Sequence, residues 1–273
     1  MKIPRASTVV ASVFGIGYFD IAPGTIMSAI AVPLAVLIAI YGGGGMGVLA
    51  SSIIALVIGI LACADHVRAT GREDPSECVI DELAGQWLAC AFATLTFGGL
   101  LPVTHISLPA FFLAFALFRL FDIWKPWPVS WADQNLKGGL GVMTDDMIAG
   151  LMAGVLASSI IALVIGILAC ADHVRETGRQ DPSECVIDEL AGQWLACAFA
   201  LFTFGGLIPA GASSLPAFAL AFVLFRLFDI WKPWPVGWAD RELPGGLGVM
   251  TDDMIAGLMA GVLVAVLRYL VPL

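Results

Sequence analysis

The chain has 273 residues, of which 59% are hydrophobic and 13% are charged. Soluble domains carry about a quarter charged residues, so this composition excludes an ordinary soluble protein and predicts one that crosses a membrane several times. The formal net charge of −9 disfavours nucleic acid as a partner, because nucleic acid requires a basic surface. Divalent cations are the more suitable partners for a chain with this negative charge.

The apolar runs determine the predicted fold class. They approach or reach the roughly 20 residues that a helix needs to cross a bilayer, and they lack the alternating pattern of a membrane β-barrel. The first two occupy residues 26–40 and 46–64, with a glycine turn between them. We therefore predict an all-α, multi-span helical membrane protein.

A Pro-Gly-Thr sequence opens the first apolar run. Thr25 is expected to cap the helix that follows, because a threonine side chain accepts hydrogen bonds from N–H groups of the first turn. Those same N–H groups can also bind phosphate. The sequence leaves both roles open.

A polar loop, residues 65–77, leads into the third apolar run. We expect His66 to be a solvated histidine of this loop. Asp81 and Glu82 stand within about the first turn of the helix that follows, where the helix dipole favours carboxylates. Capping explains one acid more easily than two adjacent acids, so this pair is a candidate functional feature.

The fourth apolar run ends with Arg119, Asp122 and Lys125. Their spacing of three places all of them on one helical face. They form either a ladder of salt bridges or a carboxylate for a metal with two cations for an anion. Asp145 and Asp146 follow at the start of the next apolar run.

Most of the chain is a tandem repeat. Residues 47–153 recur without a gap as residues 154–260, a period of about 107 residues. We predict two units, 1–153 and 154–273, and assign activity mainly to the first, because the second lacks a Pro-Gly-Thr segment. Use of Thr25 by the second copy, from the first copy or from another chain, stays an open alternative. The second copy repeats the polar residues as Asp188, Glu189, Arg226, Asp229, Lys232, Asp252 and Asp253.

The junction between the copies is a single apolar stretch, residues 146–171. Two full spans would need about 40 residues. Either this stretch crosses once, which would invert the second unit relative to the first, or it folds back as a short hairpin.

The basic residues of the first copy predict its orientation. They lie on the same side as the acids, and the turns on the other side have none, so by the positive-inside rule the acids face the cytoplasm. These basic residues are Lys2, Arg5, Arg68, Arg72, Arg119, Lys125 and Lys137.

Acids from three segments thus meet at one membrane surface. Oxygen ligands suit Mg²⁺, which binds a few carboxylates together with waters and substrate phosphate, and the scarcity of histidine argues against zinc. Cations and a helix start beside such a site suit a phosphate monoester on a lipid.

Four motifs in order resemble those of the Mg²⁺-dependent phosphatidylglycerophosphatase A family: residues 22–25, 80–87, 118–128 and 138–150. The resemblance implies a Mg²⁺ cofactor and a phospholipid substrate, phosphatidylglycerophosphate, which would lose its terminal phosphate at the cytoplasmic face of a bacterial inner membrane. Met27 stands where the family usually has Gly, so looser packing is expected there.

The resemblance also implies roles for single residues. The acids would be catalytic, binding Mg²⁺ or orienting the attacking water, and the remaining three residues would bind the substrate phosphate. The acids are Asp81, Glu82, Asp122, Asp145 and Asp146, and the phosphate-binding residues are Thr25, Arg119 and Lys125.

Two other functions remain alternatives. A transporter with a carboxylate site for a cation or substrate would explain the duplication, although the acids lie at segment ends. A Mg²⁺-dependent phospholipid phosphotransferase is the other, but its paired Asp-Gly and Ala-Arg signature is not found. Homo-oligomer formation is left open by the sequence.

Overall fold

The computed structural model describes residues 5–98, 108–179, 185–204 and 215–270. These residues form helices, turns and loops, with no strand among them, which confirms the predicted all-α class. The chain divides into two compact units, Met1–Ala157 and Ser158–Leu273.

The first unit is built from six helices and the beginning of a seventh in its described residues. A single 3-10 turn, Ile16–Tyr18, precedes the second helix. The helices are α1 (Ala6–Ala11), α2 (Pro23–Tyr41), α3 (Gly44–Thr70), α4 (Ile80–Gly98), α5 (Leu108–Trp124), α6 (Val129–Asn135) and α7 (Gly138–Thr177).

The second unit repeats the same succession of helices from the latter part of α7 onward. It has no counterpart of α1 and α2, because the repeated sequence begins only at residue 47 of the first copy. Its further helices are α8 (Ile187–Phe204), α9 (Leu215–Trp231), α10 (Val236–Glu242) and α11 (Gly245–Leu270).

Helix α7 decides between the two alternatives for the junction. It runs for 40 residues without a break, which corresponds to about 60 Å at a rise of about 1.5 Å per residue. The fold-back hairpin is therefore wrong, and the apolar stretch is one helix.

Several helices are long and apolar enough to cross a membrane, as predicted. Within the described residues there are four of them, and each contains an 18-residue window with a mean hydropathy of at least 1.8. They are Pro23–Tyr41, Gly44–Thr70, Gly138–Thr177 and Gly245–Leu267.

Small residues bring α4 and α7 into close contact in the first unit. A Cβ added at Gly85 would lie 2.5 Å from the backbone oxygen of Asp146, and one added at Gly150 would lie 2.2 Å from the backbone oxygen of Gly85. Within a membrane, such small residues let helix backbones approach closely. This approach sets the start of α4 beside Asp146.

Helix α3 extends to Thr70, beyond its predicted end at residue 64, and His66 within it has buried partners. His66 is only 3% exposed, and its ring nitrogens lie 3.0 Å from Thr8 Oγ1 and 3.0 Å from Glu77 Oε1. The prediction of a solvated loop histidine is wrong. These contacts, together with the bond from Val79 N–H to Ala11 O at 2.9 Å, fix the backbone just before α4.

Glu77 gives this connection a dependence on pH. Burial acts to raise the pKa of Glu77, but its hydrogen bond to His66 and the nearby Arg72 lower it below its ordinary value of 4.5. A carboxyl group with a lowered folded-state pKa stabilises the fold above its unfolded-state pKa, and this stabilisation is lost as pH falls through the folded value.

We therefore expect Glu77→Gln to lower the melting temperature at neutral pH. The loss should correspond to about 1.5–3 kcal/mol, the range for hydrogen bonds to charged groups, and should shrink below a pH of about 4.5. Thermal unfolding in detergent across pH measures this. Glu73→Gln is the control, because the ion pair of Glu73 with Lys137 is exposed. Equal melting temperatures for Glu77→Gln and the unmodified chain at neutral pH would contradict the predicted role of Glu77.

Candidate active site

Three carboxylates from two helices meet in the first unit. Asp81 and Glu82 lie in the first turn of α4, and Asp146 comes from α7. One oxygen from each residue lies within 4.8 Å of the others, and we call these three residues the carboxylate cluster. Negative groups this close repel each other, so the arrangement favours a bound cation.

The carboxylate cluster fits a hard divalent ion. Glu82 Oε2 is buried and, among the described residues, has no hydrogen-bond partner. Asp81 and Asp146 are both buried. An oxygen without a partner inside a set of carboxylates, with no histidine in the set, matches the ligands that Mg²⁺ prefers.

Asp122 approaches the carboxylate cluster from α5. Asp122 lies close to Asp146, and it forms an ion pair with Arg119 Nη1 at 2.5 Å. Arg119 Nη1 also donates to Ser28 Oγ at 3.3 Å. Asp122 and Arg119 therefore form a charged border on one side of the carboxylate cluster.

Asp145 is separated from Asp146 by the geometry of the helix. Adjacent helical residues point about 100° apart, and Asp145 accepts a hydrogen bond from Lys125 Nζ at 2.7 Å. It lines a cavity of about 320 Å³ together with Asp133 and Asp74, and burial raises the pKa of Asp74. Although predicted as a metal ligand, Asp145 lies outside the carboxylate cluster.

Lys125 departs from the predicted helical face. Helix α5 ends at Trp124, and Lys125 has a φ of 46°, so it does not continue the helical face of Arg119. Burial acts to lower the pKa of Lys125, but Asp145 and Asp133 raise it above its ordinary value, which keeps the ammonium charged. Lys125 forms ion pairs with Asp133 and Asp145, whereas the resemblance implied that it binds the substrate phosphate.

Thr25 lies inside the first turn of α2. The N-cap position belongs to Ala22, which makes no side-chain capping bond, so the prediction of Thr25 as the cap is wrong. The turn itself reaches the carboxylate cluster, because a Cβ added at Gly24 would lie 2.0 Å from Glu82 Oε1. First-turn N–H groups lack intrahelical partners. At the start of α2 these groups lie beside Glu82, where they could bind phosphate.

Met27 does not loosen the packing at this helix start. Its side chain is fully buried and packs in one cluster with Ala31, Val79 and Leu83. The expectation of looser packing from the unusual residue is therefore wrong, and α2 is held firmly against α4.

The second unit repeats many of these contacts but not the carboxylate cluster. Lys232 pairs with Asp240 and, at 2.9 Å, with Asp252. Among the described residues, only the first unit brings three carboxylates within 4.8 Å. Asp188 and Asp253 are buried there as well.

The difference between the units lies at Arg226. It pairs with Asp229 at 2.9 Å and also with Glu189 at 3.0 Å. Glu189, the repeat of Glu82, is half exposed.

Two residues near the site were missed from the sequence. Ser28 is buried and contacts Arg119, and Gly85 permits the contact with Asp146. Ser28 follows the Pro-Gly-Thr motif by one helical turn, and Gly85 lies within the motif of residues 80–87, so position within a motif was the available signal.

Comparison with known proteins gives a consistent family. The family model described as phosphatidylglycerophosphatase A matches residues 9–161 and again residues 155–268. An Escherichia coli (strain K12) protein named phosphatidylglycerophosphatase A is 31% identical over 157 residues, which are 57% of this chain and 84% of the relative. No solved structure matches the chain.

Two further relatives are of similar length and similarity. A Haemophilus influenzae protein, also named phosphatidylglycerophosphatase A, is 30% identical over 147 residues, or 54% of this chain and 83% of the relative. A Bacteroides thetaiotaomicron protein is 37% identical over 150 residues, which are 52% of this chain and 86% of the relative. The name of the latter assigns it provisionally as a phosphatidylinositol-3-phosphatase.

Proposed function

Because the chain belongs to the phosphatidylglycerophosphatase A family, we propose that it is a Mg²⁺-dependent phosphatase that converts phosphatidylglycerophosphate to phosphatidylglycerol. Membership of this family makes it a phosphoric monoester hydrolase, and its apolar helices make it a membrane protein. We place its site at the cytoplasmic face of a bacterial inner membrane, in keeping with the side on which the basic residues fall.

The carboxylate cluster carries this proposal. Asp81, Glu82 and Asp146 would hold the metal, and Glu82 Oε2 is the oxygen that lacks another partner among the described residues. When bound, Mg²⁺ would polarise the phosphoryl oxygens and favour ionisation of a water.

The residues around the carboxylate cluster would orient the substrate. The start of α2 offers N–H groups to the phosphate beside Glu82, as helix N-termini commonly do. Arg119 supplies a positive charge that can stabilise the phosphoryl group as negative charge develops on it. Asp122, which lies beside Asp146 but outside the cluster, is positioned to orient the attacking water and accept its proton.

Lys125 and Asp145 would act as positioning residues. Their ion pair, with Asp133 as the second partner of Lys125, joins the end of α5 to α6 and to the first turns of α7. This connection fixes the part of α7 that carries Asp146.

The position of the acids within their helices disfavours the transporter alternative. Asp81 and Glu82 occupy the first turn of α4, whereas transporter sites lie near the bilayer midplane. A phospholipid phosphotransferase would transfer a phosphate-bearing group to an alcohol and would not release inorganic phosphate. Phosphate release therefore separates the proposed function from both alternatives.

We expect the purified full-length chain to release phosphate from phosphatidylglycerophosphate in mixed micelles. Phosphate release should stop when EDTA is added and should resume when Mg²⁺ is added in excess. The physical reason is that the clustered carboxylates alone repel an anionic substrate. Colorimetric phosphate release measures this, with phosphatidylinositol 3-phosphate as the comparison substrate. Release that persists unchanged in EDTA would contradict metal dependence.

A further inference from the structure

We infer that Ser28 is a positioning residue that holds Arg119 away from Glu82, and that the second unit, which lacks this serine, does not form the same divalent-cation site. This inference rests on the proposed metal-dependent function. It assigns a specific task to α2, the helix that only the first unit possesses.

Ser28 lies between the backbone of α2 and the guanidinium of Arg119. It is fully buried, its hydroxyl donates to Gly24 O at 2.9 Å, and it accepts from Arg119 Nη1 at 3.3 Å. Arg119 uses the same nitrogen for its ion pair with Asp122. The guanidinium is thus held by Ser28 and Asp122, while Glu82 Oε2 has no partner among the described residues.

The second unit shows the same arginine without this restraint. Residues 118–128 are repeated identically as 225–235, and residues 80–93 as 187–200. The local sequence around the arginine and the glutamate is therefore the same in both copies. Nevertheless Arg226 pairs with Glu189 at 3.0 Å in addition to Asp229.

The exposure of neighbouring apolar residues identifies α2 as the missing element. Val79 is fully buried and Leu83 is 9% exposed in the first unit, where both pack with Met27 of α2. Their repeats Val186 and Leu190 are 62% and 42% exposed. The surface that α2 covers in the first unit is open in the second.

The two arrangements have different consequences for a cation. A guanidinium that pairs with a carboxylate competes directly with a metal for its oxygens, and charge-assisted hydrogen bonds of this kind are strong. Glu189 must give up Arg226 before it can bind an ion, whereas Glu82 has an oxygen available. Ser28 therefore acts on the metal site through Arg119.

Mn²⁺ binding to the purified full-length chain tests the inference without relying on activity. Electron paramagnetic resonance of free Mn²⁺ should give one tight ion per chain. Ser28→Ala should weaken that binding by about 10- to 100-fold, the usual loss when a residue supporting a metal ligand is removed. Ser51→Ala is the matched control, because Ser51 makes the same kind of bond to Gly47 O at 2.9 Å, and it should bind as the unmodified chain does.

A double substitution separates positioning from simple structural support. If Ser28 acts through Arg119, then in an Arg119→Gln background Ser28→Ala should no longer weaken Mn²⁺ binding. Weakening of equal size in both backgrounds, or unchanged binding by Ser28→Ala alone, would overturn the role of Ser28. Two equally tight ions per chain would overturn the conclusion about the second unit, and no binding by the unmodified chain would overturn the proposed metal site itself.

Discussion

Asp146→Asn is expected to reduce phosphate release by about 1,000-fold, because a metal contributes several kcal/mol to stabilising charge in the transition state and each 1.36 kcal/mol is about tenfold in rate. Asp146 is the member of the carboxylate cluster that comes from α7. The amide keeps the shape of the side chain but removes its charge. Initial rates with phosphatidylglycerophosphate at saturating Mg²⁺ measure the effect.

The duplication supplies a matched control for this substitution. Asp253→Asn changes the repeat of the same residue, which is likewise buried and beside an aspartate, Asp229. Since Asp253 is not part of a carboxylate cluster among the described residues, its substitution should leave the rate within about twofold, a difference of under 0.5 kcal/mol. Equal losses from the two substitutions would show that both copies are required.

Gly85→Ala should have the second largest effect, through backbone geometry. A Cβ at this position would lie 2.5 Å from Asp146 O and 2.7 Å from the ring of Phe118, so α4 and α7 must separate. Overpacking of this kind costs about 1–3 kcal/mol in stability. Because a displacement of about 1 Å at a reacting centre can cost about 100-fold in rate, we expect activity to fall by about that factor.

Gly192→Ala distinguishes loss of the site from loss of stability. A Cβ there meets Asp253 O at 2.5 Å and the ring of Phe225 at 2.7 Å, which are the same clashes in the second unit. The two variants should lose similar stability in thermal unfolding, while only Gly85→Ala loses most of its activity. Equal activity of the two variants would contradict the assignment of the site to the first unit.

The fold class followed from features that act locally along the chain. The length of an apolar run and the period of its residues determine whether a helix can cross a membrane, and direct self-comparison reveals a repeat. Two adjacent acids at the start of α4 were likewise recognisable, because capping requires only one. Each of these features depends only on residues that are close in sequence or on direct comparison of two segments, so the sequence alone is enough to recognise it.

The misplaced residues depend on partners from distant segments. His66 is buried because Thr8 and Glu77 reach its ring, and no periodicity identifies such partners. Asp145 and Asp146 are adjacent and chemically identical, yet only their rotation around α7 sends one to Lys125 and the other to the carboxylate cluster.

The two copies demonstrate the same principle within one chain. Arg119 and Arg226 lie in identical segments, but one contacts Ser28 and the other contacts Glu189. The presence of α2 in the first unit accounts for this difference. An identical motif therefore predicted which side chains each copy contains, but it did not predict which of those side chains are in contact.

Anomalous diffraction from crystals of the full-length chain grown with Mn²⁺ in place of Mg²⁺ tests the central claim most directly. The account predicts a peak within coordination distance of oxygens from Asp81, Glu82 and Asp146. A peak beside Asp145 and Asp133 with none at the carboxylate cluster, or no peak in the first unit, would contradict it.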